Sequence, residues 1–452
     1  MRRAFVHIGL VMLIISGFAD TVNGQRDFIQ TDIQTYRLFT EQKWDSLLLT
    51  GKKALHDGID FYYLRVRMGV AYFEQKKYFP AVRHLKAAHE QNPSDSYVNY
   101  YLFYALRYTN QFEEAELILS VLPPETREKI GQQRKWTDLV YASGGYTFSN
   151  ALSTRPQGPL MKSDSVYGEE DLYGDHSYLS AGWNLRPARR LSFQIQYSYL
   201  GFSKSKFHQW SRGEYRLTEV RDTSWGKEYL YTFPQQVYDT SYQYRINQHE
   251  FHLGANLLVG SGIRIMPAFH LVRVGFPYTK AVYRFDTIDL PAYYSNEDST
   301  MHNFQFPMLT YSFPTRDTAF SNYVASLRIT KDAGLFSMGI SGSYANLNGY
   351  TQKQIGASVT FFPAENLNYY SSTFITGFFQ NREKRLLISQ ILGAKLSPWL
   401  WAECSFHYGD HTNANIFNGS DVYNNSDRIR YRTVASKLFI ASQRPQIYPT
   451  WQ

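Results

Sequence analysis

Between Leu191 and Tyr199 apolar and polar residues alternate one for one. Leu191, Phe193, Ile195, Tyr197 and Tyr199 fall on one face; Ser192, Gln194, Gln196 and Ser198 fall on the other. A period of two is that of a strand with one apolar and one polar side. The pattern returns, with more noise, from Trp136 to the C-terminus. It predicts about twelve strands, at 138–149, 177–185, 191–202, 243–259, 262–274, 322–331, 335–346, 350–362, 367–380, 385–396, 399–409 and 428–440. Short turns follow the second, fourth, sixth, eighth and tenth strands, at 186–190, 260–261, 332–334, 364–366 and 397–398. Long polar loops follow the first, third, fifth and eleventh, at roughly 150–176, 203–242, 275–321 and 410–427. An even number of strands joined alternately by short and long connections predicts an antiparallel transmembrane barrel with its apolar face on lipid. An aromatic-rich extracellular sandwich shares the alternation and is the alternative.

Upstream the period changes. Residues 28 to about 130 carry a helical pattern with an internal repeat. Trp44, Tyr78 and Phe112 are spaced by 34, as are Ala81 and Ala115, and Leu85 and Leu119. The clearest copy runs from Tyr62 to about Asp95 and contains Gly69, Tyr72, Ala81, Leu85, Ala88 and Pro93. Gly69 and Ala81 let the two helices of a hairpin approach, Tyr72 and Leu85 fill the groove between them, and Pro93 ends the second helix. The third copy has Phe103 where a small residue is expected and closes at Pro123-Pro124. The first is only partly recognisable, at Leu47 and Gly51.

In period and in these positions the region resembles the tetratricopeptide repeat. The resemblance implies a short helical array that holds another polypeptide in a concave groove. The first helices of such repeats usually line the concave side, which makes Tyr63, Arg67, Tyr97 and Tyr101 candidate partner-binding residues. A helical plug or spacer without a partner is the alternative.

Composition sharpens the cell-envelope reading. Of 452 residues, 37 are Tyr and 31 Phe, and aromatics reach 17%, as expected where aromatic girdles flank a lipid-facing band. Residues 1–24 read as a cleavable export signal. Arg2 and Arg3 start it, Phe5 to Ile15 form its apolar run, and Val22-Asn23-Gly24 precede the cleavage point. No Cys lies there to carry a lipid anchor, and no later apolar run of about 18 residues predicts a membrane helix. The single Cys404 cannot form an intramolecular disulfide. A net charge of +8 without a basic stripe argues against nucleic-acid binding and suits anionic head groups.

Candidate chemistry is sparse. Phe251, Leu253, Ala255 and Leu257 take the lipid face of the fourth strand, which leaves Glu250, His252 and Asn256 inside. The following turn brings Arg264 and His270 to the same side. His252 and His270 are then cross-strand neighbours with Glu250 close by, either a metal or acid–base site or a hydrogen-bonded lumen network. Glu403, Ser405 and His407 share a face, but side chains at i and i+2 on one strand run parallel and do not converge as a hydrolytic triad must.

Arg428, Arg430 and Arg432 alternate on the last strand. On lipid each costs about 2–4 kcal/mol, so they face the lumen or rim, where Glu169, Glu170 and Asp171 can pair with them. Gly144, Gly145 and Gly182 read as barrel bends. No phosphate loop, dinucleotide fingerprint, paired-Cys zinc motif or nucleophile elbow occurs in the sequence.

The chain therefore resembles a bacterial outer-membrane β-barrel protein placed behind a periplasmic tetratricopeptide module. The expected division is a signal at 1–24, a helical periplasmic domain at 25–134, a barrel at 135–443 and a periplasmic tail at 444–452. That tail holds Pro445 and Pro449, where many such barrels end on an aromatic strand residue. Expected partners are outer-membrane lipid and a periplasmic or outer-membrane protein of an envelope assembly, secretion or transport complex. No cofactor, metal or catalytic group is expected. A passive channel or small-solute transporter is the second reading, and an outer-membrane lipid-modifying enzyme the third.

Overall fold

The computed structural model describes residues 27–130, 136–149, 159–162, 165–260, 262–398, 400–416, 419, 421–422 and 430–440. The expected signal and the expected C-terminal tail lie outside them.

Seven helices come first: α1 (27–40), α2 (Trp44–His56), α3 (Tyr62–Glu74), α4 (Tyr78–Gln91), α5 (Ser96–Tyr108), α6 (Phe112–Val121) and α7 (Pro124–Lys129). The interval of 34 is structural as well as sequential. α2, α4 and α6 begin at Trp44, Tyr78 and Phe112, and the tight turns before them place Gln42, Lys76 and Asn110 at φ 53°, 60° and 61°. Three consecutive hairpins, α1–α2, α3–α4 and α5–α6, thus share one turn geometry. The first is as regular as the others despite its weak sequence signal. α4 stops two residues before Pro93, and Asp95 caps α5 by accepting hydrogen bonds from the Tyr97 and Val98 amides. Leu47, Leu64, Met68, Leu85, Leu102, Phe103 and Leu106 form a continuous core. Gly69 has no room for a side chain, since a Cβ there would stand 2.6 Å from Leu85 Cγ.

The strands follow: β1 (Thr137–Thr147), β2 (Tyr167–Ala188), β3 (Leu191–Gly213), β4 (Arg216–Thr223), β5 (Gly226–Thr232), β6 (Gln235–Gly260), β7 (Ile263–Thr279), β8 (Val282–Ser295) and β9 (Thr300–Ser312). They continue as β10 (Thr315–Ala333), β11 (Phe336–Ala345), β12 (Gln352–Phe361), β13 (Tyr369–Gln380), β14 (Glu383–Ser397), β15 (Leu400–Asp410), the short β16 (Asn415–Ile416) and β17 (Asp421–Val422), and β18 (Arg430–Ile440). One antiparallel sheet of twelve strands runs in the order β1-β2-β3-β6-β7-β10-β11-β12-β13-β14-β15-β18. Its members correspond one for one to the twelve expected strands. Among the described residues its two ends, β1 and β18, are not paired to each other.

The sheet is polar inside and apolar outside. Along β12, Gln352, Gln354, Ser358 and Thr360 are buried, while Ile355, Val359 and Phe361 point outward. Across the sheet Phe251, Leu253, Phe269, Leu271, Ile340 and Leu392 are likewise exposed, whereas His252, His270, Ser372, Ser389 and His407 are buried. Among the described residues no helix is long and apolar enough to cross a membrane.

The expected loops at 203–242 and 275–321 are corrected. β3 and β6 stay paired from Leu191↔Leu257 out to Gly213↔Gln235, well past the expected strand ends. Beyond them β4, β5, β8 and β9 form a separate four-stranded sheet. It is joined where β5 meets β8 at Gly226↔Ser295. Gly226, at φ 151°, is required there because a Cβ would overlap the Tyr294 carbonyl oxygen, 1.8 Å away. These segments are rich in Tyr, Thr and Val, residues that suit a pleated surface; their polar content disguised them.

Candidate functional site

The sheet curls around an interior that is stopped at both ends. At the short-turn end the stopper is the helical domain, which docks through two of its repeat turns. Between α3 and α4, the Phe79 amide donates to the Glu365 carbonyl at 3.1 Å, Asn366 Nδ2 donates to the Lys76 carbonyl at 3.0 Å, and Phe79 stacks on Phe362 at 4.4 Å.

Between α5 and α6 the contact is ionic and buried. Glu113 Oε1 accepts from Ser192 Oγ at 3.2 Å and Asn256 Nδ2 at 3.0 Å, and its Oε2 lies 3.7 Å from Arg264 Nε. Arg264 also reaches Asp332 at 2.8 Å. Beside it Glu116 faces Arg186 at 4.0 Å, Arg186 lies over the Phe112 ring, and Glu114 pairs with Lys86. In sequence, carboxylates in a first helical turn read as simple complements of the helix dipole. The partners of Glu113 on β3, β6 and β7 become visible only once the helix is laid against the sheet.

At the long-loop end the stopper is the segment after β15. Instead of projecting outward, His411 to Ile416 turn inward and are buried. Asn415 Nδ2 donates to Ser343 Oγ at 3.1 Å, Asn413 Oδ1 accepts from Asn348 Nδ2 at 2.7 Å, and Arg385 Nη2 donates to the Thr412 carbonyl at 3.0 Å. Farther on, the Gly419 carbonyl accepts from His270 Nδ1 at 2.8 Å.

Between the stoppers lies a cavity of about 330 Å³. Its wall is contributed by strands from β1 to β14, and Phe79, Asn110, Phe112 and Glu113 close it from the helical side. Arg328 on β10 lines it and a smaller adjoining cavity of about 40 Å³. Arg328 Nη2 donates to Ser358 Oγ at 2.9 Å, and its guanidinium lies 5.2 Å from the Phe374 ring centre.

The candidates named from sequence fall as follows. His252 and His270 are paired across β6 and β7 with ring centres 5.6 Å apart, and Glu250 Oε2 stands 3.4 Å from His270 Nε2. Both nitrogens of His270 therefore face acceptors, one of them on the inward loop. Glu250 and His270 make interior polar contacts, to Gln248 and to the Gly419 carbonyl, and among the described residues no group of three or more His, Cys, Asp or Glu is arranged to hold a metal.

Glu403, Ser405 and His407 do share the inner face. The carboxylate of Glu403 takes the Tyr370 hydroxyl, and His407 Nδ1 lies 2.8 Å from Ser389 Oγ, a serine of the neighbouring strand. Glu169 and Asp171 pair with Lys206 and Lys204 at 3.0 and 2.8 Å. Arg428 and the side chains of Arg430 and Arg432 lie outside what is described.

On the helical domain Tyr63, Tyr97 and Tyr101 lie on α3 and α5, and Tyr63 and Tyr97 are exposed. Arg67 is different. It is buried, with Nη1 donating to Asp32 Oδ1 at 2.7 Å and Thr35 Oγ1 at 2.9 Å, and so it ties α1 to α3 rather than offering itself to a partner. Sequence reasoning missed the extent of the aromatic surface. Tyr97, Tyr100, Tyr101, Tyr104 and Tyr108 follow one another along α5 with ring centres 5.0 to 6.3 Å apart, continuing to Tyr78 and Phe73. Burial pushes the Tyr78 phenol up to about 12.

No family model matches the chain, and no curated protein matches it. Among solved structures it is similar to OmpT, an outer membrane protein of Vibrio cholerae, at 10% identity over 66% of this chain and 97% of that one, with a TM-score of 0.25. It is similar to the ferric-catecholate import receptor Fiu of E. coli K12 at 7% identity over 55% and 44% of the two chains, TM-score 0.25. For OprB of Pseudomonas putida the values are 6% identity, 53% and 82%, and 0.19.

Proposed function

We propose that this chain is an outer-membrane β-barrel protein of accessory or scaffold type. On this reading its helical repeats, in the periplasm, dock a protein partner of an envelope assembly, secretion or transport complex. Membrane insertion is supported by the inside-out burial of the sheet, polar within and apolar without, which only a lipid environment rewards. The helical side is periplasmic because the short turns, which belong at that face, carry the docked helices.

The observation that carries the scaffold reading is the posture of the helical domain. One side is wedged into the barrel mouth, while the tyrosine row of α5 stays open, with Tyr97 and Tyr108 each 47% exposed. Tyrosine is a favoured anchor in interfaces because it desolvates a large area at small entropic cost. A passive channel, the second reading, would need both stoppers to move.

The test is a photo-crosslinking residue at Tyr100 in the native membrane. The expected outcome is one discrete adduct that disappears when Tyr97 and Tyr104 are changed to Ala, with heat-modifiable migration of the barrel intact. If deleting residues 27–130 leaves both the complex and the phenotype unchanged, the scaffold reading fails.

A further inference from the structure

The cavity between the two stoppers presents a cation with no counter-charge. Arg328 reaches it from β10, and among the described residues no carboxylate forms an ion pair with its guanidinium. Its partners are neutral, one hydrogen bond to Ser358 Oγ and the face of the Phe374 ring. The other arginines of this wall are matched: Arg264 by Asp332 and Glu113, and Arg186 by Glu116. A guanidinium carries five N–H donors in a planar fork that suits the two oxygens of a carboxylate or phosphate. Ionisable groups at membrane depth that face a cavity without a partner mark the path or seat of a ligand.

We propose that this chamber is a binding site for a small organic oxyanion, whose carboxylate or phosphate occupies the fork of Arg328. The chamber volume, about 330 Å³, limits the rest of the molecule to roughly the size of one sugar ring. Gln194, Asn256, Thr330 and Thr360 on the wall supply amide and hydroxyl groups for a polar body, and Phe374 covers one side. The chamber lies between the two stoppers, so the ligand passes one of them on entry and is held longest when both are seated. The site stands or falls independently of what the tyrosine row binds.

The test folds the full chain in detergent with radiolabelled glucuronate, glucose 6-phosphate or glucose present, removes free probe by gel filtration, and counts what is retained. Folding with the probe present avoids any barrier to entry. Near-stoichiometric retention of at least one anion is expected, with glucose retained at less than a tenth of that level. Whichever anion is held distinguishes a carboxylate seat from a phosphate seat.

Arg328→Gln should lower retention at least tenfold, and Arg328→Lys, which keeps the charge without the fork, should fall between. Arg316→Gln, at an exposed position, should match the parent. Heat-modifiable migration establishes that each variant is folded, and the lysine variant remains informative if the glutamine variant is not. Retention of no anion, equal retention of glucose, or unchanged retention in a folded Arg328 variant would overturn the proposal.

Discussion

At the scale of single residues, His84 and Gly69 of the helical domain each set a measurable effect on stability. His84 is buried, stacks on Tyr72 at 5.4 Å and lies 3.2 Å from Arg65 Nη1. Burial, with the Arg65 charge beside it, pushes its imidazole down to about 4. The unfolded chain then binds a proton that the folded domain refuses, so stability falls as the pH drops from 6.5 toward 4, by up to about 3 kcal/mol. Urea unfolding followed by helical circular dichroism should show that loss, and His84→Phe, which keeps the ring over Tyr72, should flatten it. At Gly69 the missing Cβ is what lets α3 meet Leu85. Gly69→Ala should cost about 1–3 kcal/mol in the same titration, and Gly69→Leu should part the hairpin. The need for a small residue at Gly69 was legible because the repeat pattern places one there, with Ala81, where the two helices approach; that Leu85 is the side chain it meets was not. The burial of Arg67 was not, because its partner Asp32 lies on a helix whose repeat signal is weak.

At the scale of elements, the docking of α6 on the short-turn end of the sheet is the ionic one of the two contacts that join the helical domain to the strands. Glu113 is nearly fully buried and holds Ser192, Asn256 and Arg264 together. Removing one member of such a set leaves the others desolvated and unpaired, a loss of about 3–5 kcal/mol. Glu113→Ala should therefore speed hydrogen exchange in α6 and expose the domain to proteolysis, whereas Glu125→Ala on the exposed side of α7 should do neither. All twelve sheet strands were legible from their alternation. Their outward extensions were not, because at β3, β6 and the hairpins beyond them both faces are polar enough to blur a period of two. The inward course of the segment after β15 was also hidden. His411 to Ile416 have the composition of a surface loop, and their partners, Ser343, Asn348 and Gln380, are far away in sequence.

At the scale of the whole molecule, the twelve-stranded sheet is inside out relative to a soluble protein, polar within and apolar without, and its interior is stopped at one end by the helical domain and at the other by His411 to Ile416. The two stoppers predict that the chain in planar bilayers shows no steady conductance, and that deleting residues 411–416 produces discrete steps; large steps from the parent chain would contradict this. On the proposed reading the apolar outer face of the sheet lies in lipid, and β12, with its strict alternation, is the place to probe it. In a Cys404→Ser background reconstituted into vesicles, spin labels would be placed at Gln354, Ile355, Ser358 and Val359 in turn. Their accessibility to oxygen, which concentrates in the bilayer, would be compared with that to a water-soluble relaxation agent. High oxygen and low aqueous accessibility are expected at Ile355 and Val359, and low oxygen accessibility at Gln354 and Ser358. Aqueous accessibility at Ile355 and Val359 equal to that of a surface loop would contradict that reading.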